Sequence, residues 1–431
     1  MASRRVPRYL ERLTPVNEAI QIVTSRVKPV EETVEAPVWE AIGLVLAEDV
    51  RAPHDFPPRP RAAYDGYAIR SSDTPGRLRV VGEATIGKVD VKYRVEPGTA
   101  VYVSTGAYLP DGADTVIPEE AVRREGDYIV VEKEFPAGKN FDPVGAYVRK
   151  GQVLLPRGYV VTMLDVAGLL DVAVTRVKVY RPISVGIIAT GTELFEPVDP
   201  AEAEQRILRG EVAETTAKLI EWAIDRYTPW TVVEERILLP DNVDTIAWYL
   251  TRQMRHLDLV ILTGGTGPSD VDPFYQLAEM LDGEVLFRGL FVKGGRPTSA
   301  MILPGGPLVL ALSGHPVSAL HGFIRLVYPV LKHMGNVVRG VEPPLPAIAE
   351  LAGDIRAKRP QPVKVKLYLE DGKLYAEPLP LERQHSSVTV SNCEADGLAI
   401  VENRQYQRGE RVPVMIYREP GRKEGEKREE A

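Results

Sequence analysis

The chain has 431 residues, 44% of them apolar, enough for several cores and for roughly two to four domains. A net charge of −7 leaves no basic footprint for nucleic acid, and a single cysteine, Cys393, excludes an intramolecular disulfide framework or a cysteine-based zinc site. No apolar stretch follows the basic N-terminus and no run of about 18 apolar residues occurs, so neither a secretory signal nor a membrane span is expected, and a reducing, cytoplasmic setting fits.

In chain order, Val16, Ala19, Ile20 and Val23 have helical spacing behind Thr14 as N-cap and Pro15 as first helical residue, and a second helix is expected over Val38 to Leu46. From Arg51 to about Asn140 the texture becomes short β runs, Leu78–Val81, Ala100–Val103, Asp114–Ile117 and Tyr128–Val131, broken by Gly, Pro and Asp, as in an inserted β domain. Helical spacing returns at Thr162 to Leu170. Three apolar runs, ISVGIIATGTEL from Ile183, LDLVILTGGTGPSDVDP from Leu257 and LVLALSGHPVS from Leu308, then alternate with helical stretches Glu214–Arg226, Val243–Met254 and Val317–Leu331. That alternation is the mark of βαβ units around a parallel sheet. A Pro-rich linker, VEPPLPA, precedes a hairpin pattern about Asp371-Gly372. The expected division is a scaffold from 1–50 and 141–180, a β insert at 51–140, an α/β domain at 181–335, a β domain at 336–417 and a disordered tail at 418–431. The fold class is multidomain α/β plus β, elongated. The 36 prolines, with abundant Glu, Lys and Arg, hint at heat adaptation.

In open α/β sheets ligands sit beyond the carboxyl ends of the strands. Gly264, Gly265 and Gly267 permit close approach of backbone N–H groups to an anion, and Asp270 and Asp272 follow them; a ligand-free strand-to-helix turn would read the same way. Thr190-Gly191 and Gly314 lie in the two companion loops. Asp65, between Tyr64 and Gly66, either faces a ligand or makes an Asx turn. Thr105 and Gly106 end a β run, where they bind phosphate or cap a turn. Lys293 and Arg296 flank Gly294-Gly295, as an oxyanion site or as solvated charges. The six histidines show no metal-ligand spacing, and no GxSxG, HExxH or GxxxxGK[ST] motif occurs.

Taken together, AAYDGYA, STGAYLPDGADTVIP, IIATGTEL, LTGGTGPSDVD, FVKGGRPTSA and LSGHPVSA resemble, in order and approximate spacing, the MoeA-type molybdopterin molybdenumtransferases, the family that includes the C-terminal domain of gephyrin. The resemblance implies a four-domain homodimer that inserts molybdate into adenylylated molybdopterin, releasing AMP with Mg²⁺ present. Carried over by motif, it implies catalytic Asp65, Glu193 and Asp272, and metal ligands among Glu193, Asp241 and Asp272. It places Thr105, Gly106, Thr190, Gly191, Gly264, Gly265, Gly267 and Gly314 on the ligand. It gives the oxyanion Lys293, Arg296, Ser318, Lys364 (where the family has arginine) and Ser386. Asp65 and Thr105 are expected to reach the α/β site of the partner subunit.

Several positions depart from the family pattern. An acid becomes Thr192, the G-E-D motif reads Gly145-Ala146-Tyr147, D-[ST]-N reads Glu214-Thr215-Thr216, and G-N-P reads Gly314-His315-Pro316. Three readings stay open on that basis: a working molybdenumtransferase, a paralogue tuned to tungstate, or a non-catalytic molybdopterin-binding protein. Molybdate and tungstate are too alike in size and charge for residue types to separate. A nucleotide pyrophosphatase sharing the molybdopterin-binding fold is a further enzyme class, set against by the β insert and the last domain.

Overall fold

The computed structural model describes residues 13–87, 93–264, 273–340, 343–385 and 389–422. Gly265, Gly267, Asp270, Asp272, Ser386 and the tail beyond 422 therefore lie outside the described residues.

Helix α1 (Val16–Arg26) begins one residue later than its sequence suggests. Pro15 is the N-cap because its carbonyl accepts from Ala19 N–H, while Thr14 is drawn out as an extended partner of Gly289 and Phe291. After β1 (Thr33–Pro37), the helix expected at Val38–Leu46 does not form. Gly43 and Leu46 donate to the carbonyls of Val161 and Tyr159, so the segment is a run of turns laid against the 159–161 strand-like stretch. Tertiary backbone pairing has overridden helical spacing.

The β insert is a six-stranded sheet of β2 (Gly66–Ile69), β3 (Gly76–Ala84), β4 (Thr99–Val103), β5 (Thr115–Pro118), β6 (Arg123–Glu125) and β7 (Tyr128–Val131), in the order β5-β2-β4-β3-β7-β6. Its faces fill two small cores, one around Val101, Val103 and Val116 and one around Ile69, Leu78, Ile117 and Ile129. Helix α2 (Met163–Asp171) starts on a capping box in which Thr162 and Asp165 satisfy each other's backbone N–H. The strand β8 (Arg176–Tyr180) pairs antiparallel with β1.

The α/β layer holds β9 (Ile183–Thr190), α3 (Pro200–Leu208), α4 (Thr216–Tyr227), β10 (Thr231–Leu239), α5 (Val243–Arg252), β11 (Leu259–Gly264), α6 (Pro273–Met280), β12 (Glu284–Arg288), β13 (Ser299–Ile302) and β14 (Leu308–Leu312). Its sheet order is β10-β9-β11-β14-β13-β12. The first four strands pair in parallel, and β13 pairs antiparallel with both β14 and β12. Alternation along β11 shows why it carries no polar residue between Leu259 and Leu262. Leu259 and Ile261 enter the core shared with α1 and α4, whereas Val260 and Leu262 enter the opposite core with Ile246, Leu250 and Phe274. A strand covered on both faces needs apolar residues at every position, each contributing roughly 1.5–3 kcal/mol on burial.

The helix expected at Val317–Leu331 is split into α7 (Pro316–Gly322), a π-helical turn at Phe323–Val327, and α8 (Tyr328–Met334). Pro329 cannot donate to the carbonyl of Arg325, and its ring crowds that carbonyl, so the helix widens there. Beyond it β15 (Ala347–Leu351), β16 (Gln361–Glu370), β17 (Lys373–Pro378), β18 (Gly397–Val401) and β19 (Arg411–Ile416) run in the order β17-β15-β19-β18-β16, and pairing of β16 with β17 closes them into a barrel. The hairpin turn is where the sequence placed it, with Asp371 and Gly372 both at positive φ (50° and 72°). The stretch after 417 was expected to be disordered, but β20 (Gly421–Arg422) adds in parallel to β16, because the exposed edge at Tyr368 and Leu369 offers it backbone partners. Ala399 and Val401 point into the barrel, while Leu398 and Ile400 point outward into the α/β core.

Candidate active site

The carboxyl ends of β9, β11 and β14 lie side by side. Thr190 is in register with Gly264, whose φ is 91° and whose added Cβ would sit 2.1 Å from the Thr190 carbonyl oxygen. Only glycine allows the first loop to lie on the second this closely. Gly314 packs next: a Cβ there would lie 3.2 Å from Gly264 Cα, and its carbonyl accepts from Thr216 Oγ1 at 2.8 Å. Thr190 itself is buried, and its Oγ1 is a buried hydroxyl with no hydrogen-bond partner among the described residues. Buried hydroxyls are ordinarily paired, so this one is an exception among the described residues.

Two acids rim that end of the sheet. Glu193 follows β9 and Asp241 follows β10; Gly191 N–H donates to Leu239 O at 3.2 Å, bringing the two turns together. Both acids are exposed, and neither side chain has a hydrogen bond or ion pair among the described residues. Glu214, one of the altered acids, behaves differently. Buried, it accepts from Ala217 N–H at 2.7 Å, which starts α4, and its other oxygen is 3.9 Å from the Arg236 guanidinium. Its carboxylate serves the helix start and not the strand-end rim.

A cleft of about 540 Å³ opens between α7 and the barrel, lined by Lys293, Gly294 and Ser318 on one side and by Arg356, Gln384 and His385 on the other. The loop 293–296 threads between α7 and the start of β16, with Lys293 N–H donating to Pro360 O at 2.8 Å. Gly294 and Gly295 take φ of 73° and 95°, which side chains rarely adopt. Lys293 and Arg296 are exposed and unpaired among the described residues, but only Lys293 lines the cleft. Ser318 is buried at its inner wall.

Lys364, expected on the oxyanion, does not line this cleft. It is 1% exposed, and its Nζ donates to the carbonyls of Arg383 (3.2 Å) and His385 (3.3 Å) and to Ser391 Oγ (2.6 Å). Burial pulls its ammonium below the usual lysine range, opposed by Glu394. Its hydrogen-bonding capacity is spent on holding the loop after β17, because an ammonium that deep needs every donor satisfied.

In the insert, the Asp65 side chain makes no Asx turn. Its Oδ1 accepts from Thr105 N–H at 2.6 Å and Thr105 Oγ1 at 2.9 Å, spanning the ends of β2 and β4. Those bonds, the backbone N–H first and the hydroxyl second, hold its carboxyl below the usual carboxylate range. The donors of Thr105 are thereby committed to an anion within the chain. Gly106 lines a neighbouring cavity of about 260 Å³ with Arg61, Ile86 and Tyr108. The cores of the insert share no residue with those of the α/β layer.

Sequence reasoning overlooked His321, Arg325 and Glu402. His321 Nδ1 lies 2.8 Å from the Gly294 carbonyl, Arg325 Nε points at His321 Nε2 at 3.3 Å, and Arg325 pairs with Glu402. The available signal was spacing: Ser318, His321 and Arg325 fall three and four apart on one helical face.

A mainly parallel sheet covered on both faces, with a polar rim at its strand ends and a cleft against a small barrel, defines a multidomain α/β protein of the open-sheet kind, whose ligands sit beyond the strand ends. Residues 14–173 match the MoeA N-terminal region (domain I and II), 186–333 a probable molybdopterin binding domain, and 349–417 the MoeA C-terminal region (domain IV). The chain is 30% identical over 427 residues to the molybdopterin molybdenumtransferase of Bacillus subtilis, covering 95% of this chain and 96% of that protein. It is 29% identical over 420 residues to that of a Nostoc species, covering 92% of each. The crystal structure of a molybdopterin biosynthesis moeA protein from Pyrococcus horikoshii superposes with a TM-score of 0.76 at 30% identity, covering 94% of this chain and all of that one. The chain belongs to the MoeA family of molybdopterin molybdenumtransferases.

Proposed function

We propose that this chain inserts molybdate into the dithiolene of adenylylated molybdopterin and releases AMP. Its family is one of molybdenum cofactor biosynthesis. The observation that carries the reading to this chain is Lys293, unpaired among the described residues, lining the same cleft wall as Ser318, together with the Thr190 hydroxyl at the strand ends, which has no partner among the described residues. A tetrahedral dianion is bound by charge-assisted donors such as an ammonium together with hydroxyls, and Lys293 and Ser318 line one cleft. The pterin phosphates are assigned to the backbone amides and hydroxyl at Thr190, Gly191, Gly264 and Gly314, with Gly265 and Gly267 continuing that loop in sequence. Arg296, outside the cleft, contributes long-range attraction; Ser386 remains an oxyanion ligand of this proposal.

Glu193 and Asp241, exposed carboxylates without protein partners among the described residues, fit a Mg²⁺ held by one or two carboxylates plus ligand phosphates, with Asp272 as the further acid. Bound there, Mg²⁺ would neutralise phosphate charge as AMP departs. Asp65, ionised and tied to Thr105, suits a ring N–H donor or metal-bound water better than a phosphate. Because its domain has cores of its own, separate from the α/β layer, the proposal has Asp65 and Thr105 complete the site of a partner subunit in a two-fold dimer. No helix among the described residues is long and apolar enough to cross a membrane, in keeping with a cytoplasmic enzyme.

Purified protein given adenylylated molybdopterin, Mg²⁺ and either molybdate or tungstate should release AMP only when metal and oxyanion are both present. The preferred oxyanion is the one that supports release at lower concentration. Tight binding of the adenylylated ligand without AMP release in either case would establish a non-catalytic binding protein instead.

A further inference from the structure

His321 is wholly buried, and the strand-end chemistry makes no use of it. It stands three residues after Ser318 on α7, so one helical face carries both the hydroxyl in the cleft wall and the imidazole beneath the cleft's cationic loop. Its two ring nitrogens face different groups. Nδ1 meets the carbonyl of Gly294, an acceptor only; Nε2 meets the Nε–H of Arg325, a donor only. A single state satisfies both contacts, the neutral imidazole with its proton on Nδ1. Burial, with the Arg325 charge adding to it against the Gly294 bond, pushes this histidine down to about 3, in agreement with that state. Arg325 is fixed in turn by Glu402, which follows β18 in the barrel.

The loop that His321 touches needs such an anchor. Gly294 and Gly295 both sit at positive φ, and glycine pairs leave a chain free to pivot. Gly294 lines the cleft and separates Lys293 from Arg296. A hydrogen bond to the Gly294 carbonyl fixes the Gly294–Gly295 peptide, one residue past Lys293, whose own N–H is held by the Pro360 carbonyl, so the backbone is anchored on both sides of the lysine. The chain of contacts Gly294–His321–Arg325–Glu402 also joins the loop, α7 and the barrel, the three walls of the cleft.

We propose that His321 is a positioning residue that aims Lys293 at the oxyanion, with Arg325 and Glu402 locking the tautomer that lets it do so; this rests on the oxyanion reading of the cleft. His321 touches no reacting atom. Its removal should leave the strand-end ligand site alone and loosen only the oxyanion's cation. A bond that orients a charged donor to within about an ångström is worth on the order of tenfold in affinity.

The test is calorimetric titration of the full-length protein with molybdate and, separately, with adenylylated molybdopterin, alongside thermal unfolding. His321→Leu should weaken molybdate binding about tenfold and leave adenylylated molybdopterin binding unchanged. His321→Asn, whose amide places an N–H where Nδ1 was, should recover molybdate affinity to within about threefold of wild type. A purely structural histidine would lower the unfolding temperature and spare molybdate affinity, which would overturn the inference. If His321→Leu does not fold, Arg325→Met decides: weaker molybdate binding supports the inference and unchanged binding overturns it. Lys293→Ala separates the two readings. If it weakens molybdate binding while His321→Leu does not, only the positioning role fails; if it too has no effect, the oxyanion reading itself is wrong. In Lys293→Ala protein, His321→Leu should add almost nothing, since the group being aimed is gone.

Discussion

Two lysines stand near the cleft between the α/β layer and the barrel, and their fates differ. Lys293, on a glycine loop of the α/β layer, is exposed and unpaired among the described residues; Lys364, on the barrel strand β16, is buried, its ammonium bonded to Arg383, His385 and Ser391. Both were expected on the oxyanion because both align with basic positions of the family. The difference teaches that a cation's motif position does not set its availability. A donor already satisfied by buried carbonyls must lose those bonds before it can serve a ligand, whereas a solvated one exchanges only water. A lysine has three donors, and those of Lys364 are engaged within the fold.

The largest effect expected concerns which subunit supplies Asp65. Asp65→Asn and Lys293→Ala variants should each be nearly inactive. If sites are built across a two-fold axis, mixing and re-associating the two proteins creates heterodimers with one intact site and restores roughly a quarter of wild-type AMP release. No recovery in heterodimers verified by mass spectrometry would place Asp65 in its own subunit's site or outside any.

Next in size is the buried lysine. Lys364→Met should cost about 2 to 4 kcal/mol of stability, because it removes the buried ammonium's hydrogen bonds to the carbonyls of Arg383 and His385 and to the Ser391 hydroxyl. Urea unfolding followed by far-UV circular dichroism measures it. Unchanged stability would show that those bonds are weak and that Lys364 is free to turn toward a ligand.

His321 gives a pH dependence of known sign. Its folded value is pushed down to about 3 from 6.5. Below about pH 6.5 the unfolded chain takes up a proton that the folded chain refuses, so stability is lost as pH falls through that window and is fully present above it. Relative to His321→Asn, the wild type should lose about 1.4 kcal/mol of stability per pH unit between about pH 6 and about pH 4. A constant difference would mean that the imidazole protonates freely in the fold.

The smallest effect belongs to Thr190. Its hydroxyl has no hydrogen-bond partner among the described residues, so Thr190→Val should change the stability of the ligand-free protein by less than about 0.5 kcal/mol, or raise it slightly. Binding of adenylylated molybdopterin, measured by fluorescence or calorimetry, should weaken. Unaltered binding would remove this hydroxyl from the phosphate site.

Much of the architecture was legible because it rests on local rules. Unbroken apolar runs named β9, β11 and β14, and Asp371-Gly372 named the barrel hairpin, since a doubly covered strand and a two-residue turn each have their own residue demands. Helical spacing from Thr162 to Leu170 likewise announced α2. What stayed hidden depends on distant chain. Nothing near Val38–Leu46 shows that its N–H groups pair with residues 159–161. Whether Lys364 is buried depends on where Arg383, His385 and Ser391 come to lie. His321 has no meaning until Gly294 arrives above it and Glu402 beside Arg325. The strand-end glycines could be proposed as a site, but the orphan hydroxyl of Thr190 emerges only from three-dimensional packing.

The contrast between the two lysines is tested most directly by titrating molybdate into wild type, Lys293→Ala and Lys364→Met under conditions where all three are folded. Lys293→Ala should lose about 2 kcal/mol, roughly 30-fold in affinity, while Lys364→Met stays within about threefold of wild type. The reverse ranking, with Lys364→Met the weaker binder and Lys293→Ala unaffected, would contradict the account and put the oxyanion on the barrel side of the cleft.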